Sequence, residues 1–481
     1  EMLTGSLFAS LLVPPLVAHM DNGGKARAAR TAGGVLTLVI GGLALLGLVV
    51  VISGPLLLRV LTLGVDSPQA VTDELRVGWI LIALFMPQVV LYGIAGVGAA
   101  AQNSCGRFAL AAAAPALESI GMIITLTAAA VIYGTDVSLA TITMPELILL
   151  GVGTTASVGL HAGMQWFGAH RCGLSLIPRA GWRDPEAMLI ARRAVPSLGY
   201  AGLNALRTFG ALVVSSSVAG GVVAFQLALS FYYLPVAIGA RPVSTALLPR
   251  LARLFNHRAL HDFGTELGRG LQLIFFLTFP IAVFYAALSG PIADAVLIGH
   301  HAQEGAALVA VSLAALAPGV IGESSFVLST QACYATYDPV TPFRAMILRT
   351  TVSVAGMGIA LVLGGPLAVL AALGLAMSAG NLLSAWRLHR QISGRLGETT
   401  PGLAAAIVRD IAASVAMVAA AWVVAIALAS AIPGEVGQLT AVLGAVPVGG
   451  VVFIISQRAL HCPELVLLRG TLRQIRLGSS T

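Results

Sequence analysis

Four charged side chains lie within long apolar runs of the sequence, where an ionised group is costly. Two are arginines, Arg207 and Arg241, and two are glutamates, Glu118 and Glu323. A charged group at bilayer depth costs on the order of 3 kcal/mol or more, so such groups face a polar cavity or a partner. Asn204 precedes Arg207 by three residues and shares its helix face. Because a guanidinium fork suits phosphate oxygens, Arg207 and Asn204 are candidates for binding a phosphate group.

Each of these residues also has a structural interpretation. Arg207 could form an ion pair with a carboxylate on another helix. Arg241 lies between two prolines, so it could bond the carbonyls that they free or extend toward the inner membrane face. Glu323 could bind a coupling ion or a proton, or it could neutralise Arg207 or Arg241. Glu118 adds a second buried acid, which makes coupling to a cation more plausible.

Uncharged polar and aromatic residues in the apolar runs give two further hypotheses. His161 and Gln165 share one helix face, and we expect them to form an interhelical hydrogen bond. Phe231, Tyr232 and Tyr233 form an aromatic patch. This patch is either a packing surface at the membrane interface or the wall of a groove that accepts sugar rings or a lipid tail.

The composition of the chain indicates the helices that must position these residues. Of its 481 residues, 57% are hydrophobic and only 10% are charged, with a mean hydropathy of +0.92 and a net charge of +7. Soluble proteins carry about 25% charged residues. This composition excludes a cytosolic enzyme, a secreted disulfide scaffold and a nucleic-acid-binding module, and we expect no nucleic-acid partner. It is typical of an all-α integral membrane protein.

The apolar runs predict about 13 transmembrane helices, since each run has 18 or more residues and lacks the period-two alternation of barrel strands. The predicted spans are 3–20, 33–57, 78–101, 109–133, 146–168, 194–217, 222–248, 270–290, 305–335, 345–363, 367–386, 406–431 and 438–456.

The basic residues predict the orientation of these spans. Of the 27 lysines and arginines, 23 are assigned to the loops after odd-numbered spans or to the tail. Arg349 is counted among these 23. The opposite loops hold only Arg59 and Arg76, while Arg207 and Arg241 lie within spans. Positive charge accumulates on the cytoplasmic side of membrane proteins. The alternation therefore predicts a cytoplasmic C-terminus and an external start of the first span.

An internal repeat is visible at an offset of 235 residues. Pro14 near the end of span 1 corresponds to Pro249 near the end of span 7, and Phe108 at the start of span 4 corresponds to Phe343 at the start of span 10. An even number of spans separates the copies, so the repeats are parallel and related by an axis along the membrane normal. We therefore expect two pseudo-symmetric lobes.

The repeat also predicts the organisation of the chain. Residues 1–168 form the N-terminal lobe, residues 169–193 a cytoplasmic linker, and residues 194–395 the C-terminal lobe. Residues 396–481 form two extra helices and a basic cytoplasmic tail. The first repeat is one helix shorter than the second, so we expect one further inside-to-outside helix upstream of Glu1 and expect full activity to require it.

Several short motifs, in their order and spacing, resemble the MurJ/MviN lipid II flippases of the multidrug/oligosaccharidyl-lipid/polysaccharide exporter superfamily. No single motif is specific. The motifs that carry the resemblance are Asn103–Pro115, Arg193–Gly199, Leu234–Gly239, Thr245–Leu251, Gly319–Gly322 and Tyr334–Pro342.

The resemblance implies a two-lobed flippase in the bacterial cytoplasmic membrane, where it would move a polyprenyl-pyrophosphate-linked cell-wall precursor between leaflets by alternating access. Its implied partners are the lipid-linked glycan, membrane lipids and cell-wall synthesis proteins. The family's first helix has no counterpart here. An arginine and a glutamate of the family's eighth helix correspond to Ser230 and Tyr233, so these two residues are candidate substrate contacts by resemblance.

Two other functions stay open at this point. Arg207 and Arg241 balance Glu118 and Glu323, and a cavity without net charge would also suit an exporter of another amphiphile. An inactive flippase-like scaffold is the second alternative. The chain has no P-loop, no HExxH motif and no Gly-x-Ser-x-Gly motif. We therefore predict a transporter without a cofactor, driven by a coupling ion or by the membrane potential.

Overall fold

A computed structural model describes residues 2–62, 68–134, 141–297, 302–396, 402–431, 435–463 and 465. Within these residues the structure is helical and contains no β-strand. Its α-helices are, in chain order, α1 (Met2–Leu61), α2 (Pro68–Ser104), α3 (Phe108–Tyr133), α4 (Met144–Arg171), α5 (Pro185–Ser216), α6 (Gly221–Pro235), α7 (Arg241–Asn256), α8 (Leu260–Val296), α9 (Ala302–Ala335), α10 (Val340–Val362), α11 (Pro366–Leu396), α12 (Leu403–Ala431) and α13 (Glu435–Ala459).

Eleven segments of the described chain are long and apolar enough to cross a membrane, which confirms the predicted all-helical membrane fold. Predicted spans 3–20 and 194–217 fall in α1 and α5 and are not among the eleven. The segments are Gly24–Leu61, Val71–Ser104, Ala109–Tyr133, Met144–Arg171, Gly221–Asn256, Leu260–Val296, Gly305–Ala335, Val340–Val362, Pro366–Arg395, Leu403–Ala431 and Gly437–Ala459.

Helix α1 contains a break that separates the first two predicted spans. Gly24 has φ +73° and ψ 171°, a backbone conformation that glycine adopts without steric cost. The second segment of α1 ends at Leu61, and α8 ends 235 residues later at Val296. This pair of helix ends therefore has the offset of the predicted repeat, whereas the ends of α2 and α9, Ser104 and Ala335, lie 231 residues apart.

The predicted span 222–248 is not one regular α-helix. Between α6 and α7, residues Val236–Ala240 form a π-helical turn that directly follows Pro235. A proline ring removes a backbone donor and crowds the preceding turn, and the chain accommodates this by wider i→i+5 bonding. The segment from α6 through α7 continues to Asn256, eight residues beyond the predicted end.

The chain divides into two compact units, Glu1–Ala201 and Gly202–Thr481. The boundary lies within α5. The predicted linker 169–193 belongs to the first unit and packs on α1, where the backbone N–H of Arg179 donates to Gly33 O at 3.2 Å and to Thr37 Oγ1 at 2.9 Å. Helices α12 and α13 belong to the second unit.

Close contact between α9 and α11 fixes the centre of the second unit. A Cβ atom added to Gly322 would lie 2.6 Å from the backbone nitrogen of Leu382, so the two backbones touch there. One turn away, the Ser378 hydroxyl accepts the N–H of Gly319 at 3.1 Å and donates to Ala315 O at 2.7 Å. These contacts hold the following turn of α11, which carries Asn381, beside α9.

Candidate functional site

Arg207 lies at the centre of the second unit, and its side chain is completely buried. One Nη atom donates to Oδ1 of Asn381 at 3.1 Å, and the other donates to Oδ1 of Asn204 at 3.1 Å. Arg207 and Asn204, which were predicted to share a helix face, are therefore in direct contact. The guanidinium has two neutral amide oxygens as acceptors, one from its own helix and one from α11.

A chain of hydrogen bonds connects Arg207 to Glu323. The amide nitrogen of Asn381 donates to the hydroxyl of Tyr232 on α6, and this hydroxyl donates to Glu323 Oε2 at 3.1 Å. Tyr232 is fully buried, and Glu323 is 9% exposed. Glu323 lies on α9, so the chain links α5, α11, α6 and α9.

The carboxylate of Glu323 pairs with Arg349 of α10, not with Arg207 or Arg241 as the sequence suggested. Arg349 is 1% exposed, and its guanidinium lies 5.1 Å from the ring centre of Phe326. Counting Arg349 with the cytoplasmic loops was also wrong. It lies nine residues into α10, about 13 Å along the helix axis, which brings it level with Glu323.

The turn before α10 positions Arg349. Asp338 Oδ1 accepts the backbone N–H groups of Val340 and Thr341, each at 3.0 Å. Its Oδ2 accepts the Thr341 hydroxyl at 2.5 Å and the guanidinium of Arg395 on α11. Burial would raise the pKa of Asp338, but the hydrogen bonds from Thr341 and Arg395 outweigh this effect and lower it. The start of α10 is thus held by an ionised cap.

The buried network of the second unit, defined as Asn204, Arg207, Tyr232, Glu323, Arg349 and Asn381, carries one more positive than negative formal charge. No carboxylate lies within ion-pair distance of Arg207 among the described residues, and its Nε atom has no acceptor there. The balanced charge predicted from the sequence was therefore wrong for this site. The observed charge differs from the predicted one because Arg349 belongs to this network, whereas Arg241 and Glu118 do not.

The other candidate substrate residues lie beside this network or apart from it. The ring of Tyr233 makes an edge-to-face contact with Tyr232, with ring centres 4.9 Å apart. Ser230 is exposed, and its hydroxyl donates to Gln226 O of the preceding helical turn. Arg241 is half-buried and makes no contact with the network among the described interactions. Tyr233 is therefore adjacent to the network, whereas Ser230 and Arg241 are not part of it.

Glu118 lies in a separate buried network within the first unit. Its Oε1 accepts the Tyr92 hydroxyl of α2 at 2.5 Å, and its Oε2 lies 2.8 Å from Nδ1 of His161 on α4. Glu118 is 7% exposed and His161 is 4% exposed. Since Glu118 belongs to α3, these two contacts connect the three helices.

Gln165 extends the network of the first unit and confirms the predicted interhelical hydrogen bonding of His161 and Gln165. Its Nε2 donates to Ala111 O of α3 at 2.9 Å and lies 3.5 Å from His161 Nε2. Its Oε1 accepts Nε2 of Gln102 on α2 at 2.5 Å. We call Tyr92, Gln102, Glu118, His161 and Gln165 the buried network of the first unit.

The candidates selected from the sequence omitted several members of the two networks. Tyr92 and Asn381 are isolated polar residues in long apolar helices, and each contacts a charged group directly. Gln102 reaches Glu118 through Gln165 and His161, and it is followed by Asn103 and Ser104. Isolation within an apolar run is the signal that identifies Tyr92 and Asn381. Arg349 had the same signal, but the neighbouring Arg344 gave it the pattern of a loop residue.

Comparison with known proteins places this architecture in one family. The model of the lipid II flippase MurJ family matches residues 1–444. The chain belongs to the MurJ lipid II flippase family. This membership confirms the resemblance identified from the short motifs.

Curated MurJ relatives share moderate similarity with the chain. A probable lipid II flippase MurJ from Rhizobium tropici is 24% identical over 286 residues, which cover 59% of this chain and 52% of that protein. One from Vibrio cholerae is 21% identical over 319 residues, covering 61% of this chain and 58% of that protein. The chain thus matches just over half the length of these relatives.

Solved structures with this fold include a lipid II flippase and a multidrug transporter. A lipid II flippase MurJ in an inward closed conformation gives a TM-score of 0.70 at 19% identity and covers 95% of this chain and 90% of that one. An inward-facing MATE family multidrug transporter gives 0.65 at 14% identity, with 82% and 87% covered. At these identities the similarity establishes the fold alone.

Proposed function

We propose that the chain is a flippase that moves a polyprenyl-pyrophosphate-linked cell-wall precursor, lipid II or a close relative, from the cytoplasmic to the outer leaflet by alternating access. Membership of the MurJ family supports this proposal. The observation that carries it is the excess positive charge of the buried network in the second unit, centred on Arg207.

An unneutralised guanidinium in a membrane protein favours an anionic ligand. Burial of a charge is costly unless it is paired and hydrogen-bonded, and Arg207 has only two neutral acceptors. Pyrophosphate oxygens would supply full negative charge and the acceptor that Nε lacks. A cationic amphiphile would be disfavoured in this network, because the carboxylate of Glu323 is already paired with Arg349.

The half-buried Asn204 gives a route to the guanidinium. Asn204 covers one Nη atom of Arg207, whereas Asn381 on its other side is completely buried. In the proposed cycle, the head group displaces the Asn204 amide and takes over its hydrogen bond. Tyr233 lies next to Tyr232 at the same level of the network and offers an aromatic surface to a sugar or lipid portion.

The remaining parts of the proposal concern the setting of the protein. We place it in the bacterial cytoplasmic membrane with its C-terminus in the cytoplasm, because the basic residues accumulate in alternate loops. Membrane lipids surround it, and cell-wall synthesis proteins are its proposed protein partners. We assign its energy source to an ion gradient or the membrane potential and not to a bound cofactor.

The test is an assay of lipid II accessibility at the outer surface of cells depleted of their own flippase. We expect Arg207→Ala to abolish translocation and Arg207→Lys to restore part of it, because lysine keeps the charge but not the fork. Arg192→Ala is the matched control, since Arg192 lies on the same helix but is exposed.

Equal membrane levels of each variant, measured by immunoblot, are required for the comparison. Wild-type translocation by Arg207→Ala would overturn the assignment of the pyrophosphate site. Failure to translocate at normal membrane levels, both by the unaltered chain and by the protein extended upstream of Glu1, would overturn the flippase proposal and favour a scaffold.

A further inference from the structure

Helices α2 and α4 each end in a cysteine followed by a glycine. Cys105 and Gly106 close α2, and Cys172 and Gly173 close α4, through backbone hydrogen bonds to the last turn of each helix. Both glycines have positive φ, +70° and +79°, a conformation that ends many helices and that glycine adopts without steric cost. The same local motif therefore places one thiol at the end of each helix.

Interhelical contacts on both sides of these thiols hold the two helix ends together. In the last turn of α2, Gln102 Nε2 donates to Gln165 O of α4 at 3.2 Å. Beyond the first cysteine, Arg107 Nη1 donates to Arg171 O, the last carbonyl group of α4, at 3.3 Å. The turn that carries Cys105 is thus fixed beside the residue that precedes Cys172.

The two thiols are in direct contact. The S–H of Cys172 donates to the sulfur of Cys105, and the S–H of Cys105 donates to Sδ of Met20 on α1 at 3.9 Å. Cys172 is 4% exposed, whereas Cys105 is half-buried, and neither is part of a disulfide. Two sulfurs in contact satisfy the first geometric requirement of a disulfide, since the bond cannot form between side chains that point apart.

Two cations lie beside the pair of thiols. A Cβ atom on Gly173 would lie 3.5 Å from Nζ of Lys25, and Arg107 is two residues from Cys105. Burial and the contact with Cys105 raise the pKa of Cys172, and the two cations lower it in part. Reactive cysteines occur in electropositive, partly exposed surroundings. The pair therefore combines a half-buried thiol, which is suited to attack, with a buried thiol that stays protonated.

We propose that Cys105 and Cys172 form a redox site, at which a hydroperoxide produces a disulfide and a dithiol reductant restores the two thiols. In the proposed orientation both residues face the cytoplasm, since they follow the third and fifth predicted spans. Cytoplasmic thiols are kept reduced, and the disulfides that form there are transient and catalytic or redox-sensing. The site is thus reduced at rest and responds to oxidation.

The reaction has two steps. Cys105 loses its proton to water, and its sulfur attacks one oxygen of the hydroperoxide. The O–O bond breaks, water or an alcohol leaves after taking up a proton, and Cys105 becomes a sulfenic acid. The Cys172 sulfur then attacks the Cys105 sulfur, the S–O bond breaks, and the hydroxide leaves as water with the Cys172 thiol proton. Two electrons pass in total from the two sulfurs to the peroxide.

The disulfide would lock the two helix ends. It closes a loop that contains all of α3 and ties the turn after α2 to the residue that follows α4. A covalent link of this kind acts mainly by constraining unfolded and partly unfolded states. Oxidation is thus expected to suppress local opening at this end of the first unit and to leave the second unit unaffected.

The first experiment identifies the bond. The full-length protein in lipid nanodiscs is reduced, treated with hydrogen peroxide at neutral pH, alkylated after denaturation and digested for mass spectrometry. We expect a Cys105–Cys172 peptide that disappears on treatment with dithiothreitol. Cys333 and Cys462 are buried in the second unit and should be recovered as alkylated thiols.

Single variants separate the roles of the two thiols and of a neighbouring cation. Cys172→Ser lacks the second thiol and should accumulate a sulfenic acid at Cys105, which dimedone traps. Cys105→Ser should leave Cys172 as a thiol, because its sulfur is buried. Lys25→Gln should slow disulfide formation severalfold, whereas Arg30→Gln, which removes an exposed cation of the same helix, should not. Cys333→Ser is the matched thiol control and should form the disulfide at the wild-type rate.

Three outcomes would overturn the redox site. The first is the absence of the Cys105–Cys172 peptide at a peroxide dose that oxidises the denatured protein. The second is a sulfenic acid at Cys172 in Cys105→Ser but none at Cys105 in Cys172→Ser. The third is a mixture of disulfides among all four cysteines, which would indicate oxidation of unfolded protein. Elution of each variant as a single species checks its folding.

The second experiment measures the lock between the helix ends. Hydrogen exchange at the backbone of residues 103–107 and 171–175 should fall on oxidation and return with dithiothreitol. The unfolding temperature should rise by about 2 °C or more on oxidation. Cys172→Ser should show neither change under the same treatment. Equal exchange before and after complete disulfide formation would overturn the lock.

Discussion

Each unit contains a buried carboxylate that contacts a tyrosine hydroxyl, but the other partners of these two carboxylates differ. Glu118 in the first unit and Glu323 in the second both accept a hydrogen bond from a tyrosine hydroxyl on a neighbouring helix. The second donor to Glu118 is the imidazole of His161, whereas the second donor to Glu323 is the guanidinium of Arg349. An imidazole changes its charge near neutral pH and a guanidinium does not.

The two networks occupy equivalent positions along their helices. Helices α2 and α9 end in turns with the same hydrogen-bond pattern, closed on the carbonyl oxygens of Gln102 and Cys333. Tyr92 lies ten residues before Gln102, and Glu323 lies ten residues before Cys333. Counted from these turns, the same position holds a tyrosine in the first unit and a carboxylate in the second, at an offset of 231 residues and not the 235 of the predicted repeat. Tyr92 on α2 contacts Glu118 on α3, and Glu323 on α9 contacts Arg349 on α10, so each partner lies on the next helix along the chain.

This difference separates two tasks that a buried charge can have. In the second unit a permanent ion pair neutralises Glu323 and leaves Arg207 as the excess cation, so this network suits an anionic ligand. In the first unit the described partners of Glu118 are a tyrosine hydroxyl and an imidazole, so this network differs in kind from the fixed ion pair of the second unit. Matched variants that remove one partner of the buried carboxylate in each unit test this comparison.

The largest effect is expected from removing the fixed cation of the second unit. Arg349→Met leaves Glu323 buried without its ion-pair partner and should cost about 3–5 kcal/mol of stability. The matched change in the first unit, His161→Gln, keeps an N–H donor for Glu118 and should cost about 1 kcal/mol. Thermal unfolding of the purified protein in detergent compares the two variants.

A double variant is the control for this prediction. Glu323→Gln combined with Arg349→Met removes both charges and should recover most of the lost stability, because no uncompensated charge stays buried. A double variant as unstable as Arg349→Met alone would show that the arginine acts through packing on Phe326 and not through its charge.

Loss of a single tyrosine hydroxyl should destabilise each unit. Tyr92→Phe removes one donor to the buried Glu118. A lost hydrogen bond to a charged group costs about 1.5–3 kcal/mol. Thermal unfolding of the purified protein measures this loss.

Tyr232→Phe is the matched variant in the second unit. Its hydroxyl bridges Asn381 and Glu323, so its loss should lower the unfolding temperature by more than Tyr92→Phe does. A smaller loss in Tyr232→Phe than in Tyr92→Phe would contradict this bridging role.

In these two networks the sequence predicted which residues share a helix face but not which residues pair between helices. Continuous apolar runs predicted the membrane helices, and the i, i+3 and i, i+4 spacings predicted that Arg207 and Asn204, and His161 and Gln165, share helix faces, where the structure brings each pair into contact. Partners across helices depend on the axial level at which each helix packs, which the sequence does not encode locally. The pairing of Glu323 with Arg349 was missed for this reason.

A smaller effect is expected at Asp338, in the turn that fixes the start of α10. Asp338→Ala removes the cap of α10 and should cost about 1 kcal/mol, whereas Asp338→Asn keeps a capping oxygen and should cost less. The pKa of Asp338 is lowered in the folded protein. The ionised carboxylate therefore contributes its full stability above the ordinary pKa of 3.8, and this stability is lost as the pH falls through the lowered pKa. Unfolding temperatures measured from pH 7 to about pH 3 should show this loss in the wild type and not in Asp338→Ala.

The smallest effect is expected at Glu186, the corresponding surface carboxylate of the first unit. Glu186 holds the start of α5 to α1, since its carboxylate contacts Arg27 at 2.6 Å and His19 at 2.9 Å. The hydrogen bond from Arg27 lowers the pKa of Glu186 below its ordinary value of 4.5. The contact is therefore intact above that value and is lost as the pH falls through the lowered pKa.

Hydrogen exchange of the backbone in residues 185–190 measures this loss directly. In the wild type, exchange corrected for its intrinsic pH dependence should rise below about pH 4. In Glu186→Gln it should be raised already at pH 7 and should stay constant on acidification, because glutamine cannot titrate. The effect should be confined to this segment, since the pair with Arg27 is solvent-exposed and worth less than about 1 kcal/mol. An identical pH profile in both proteins would mean that Glu186 does not hold α5 to α1.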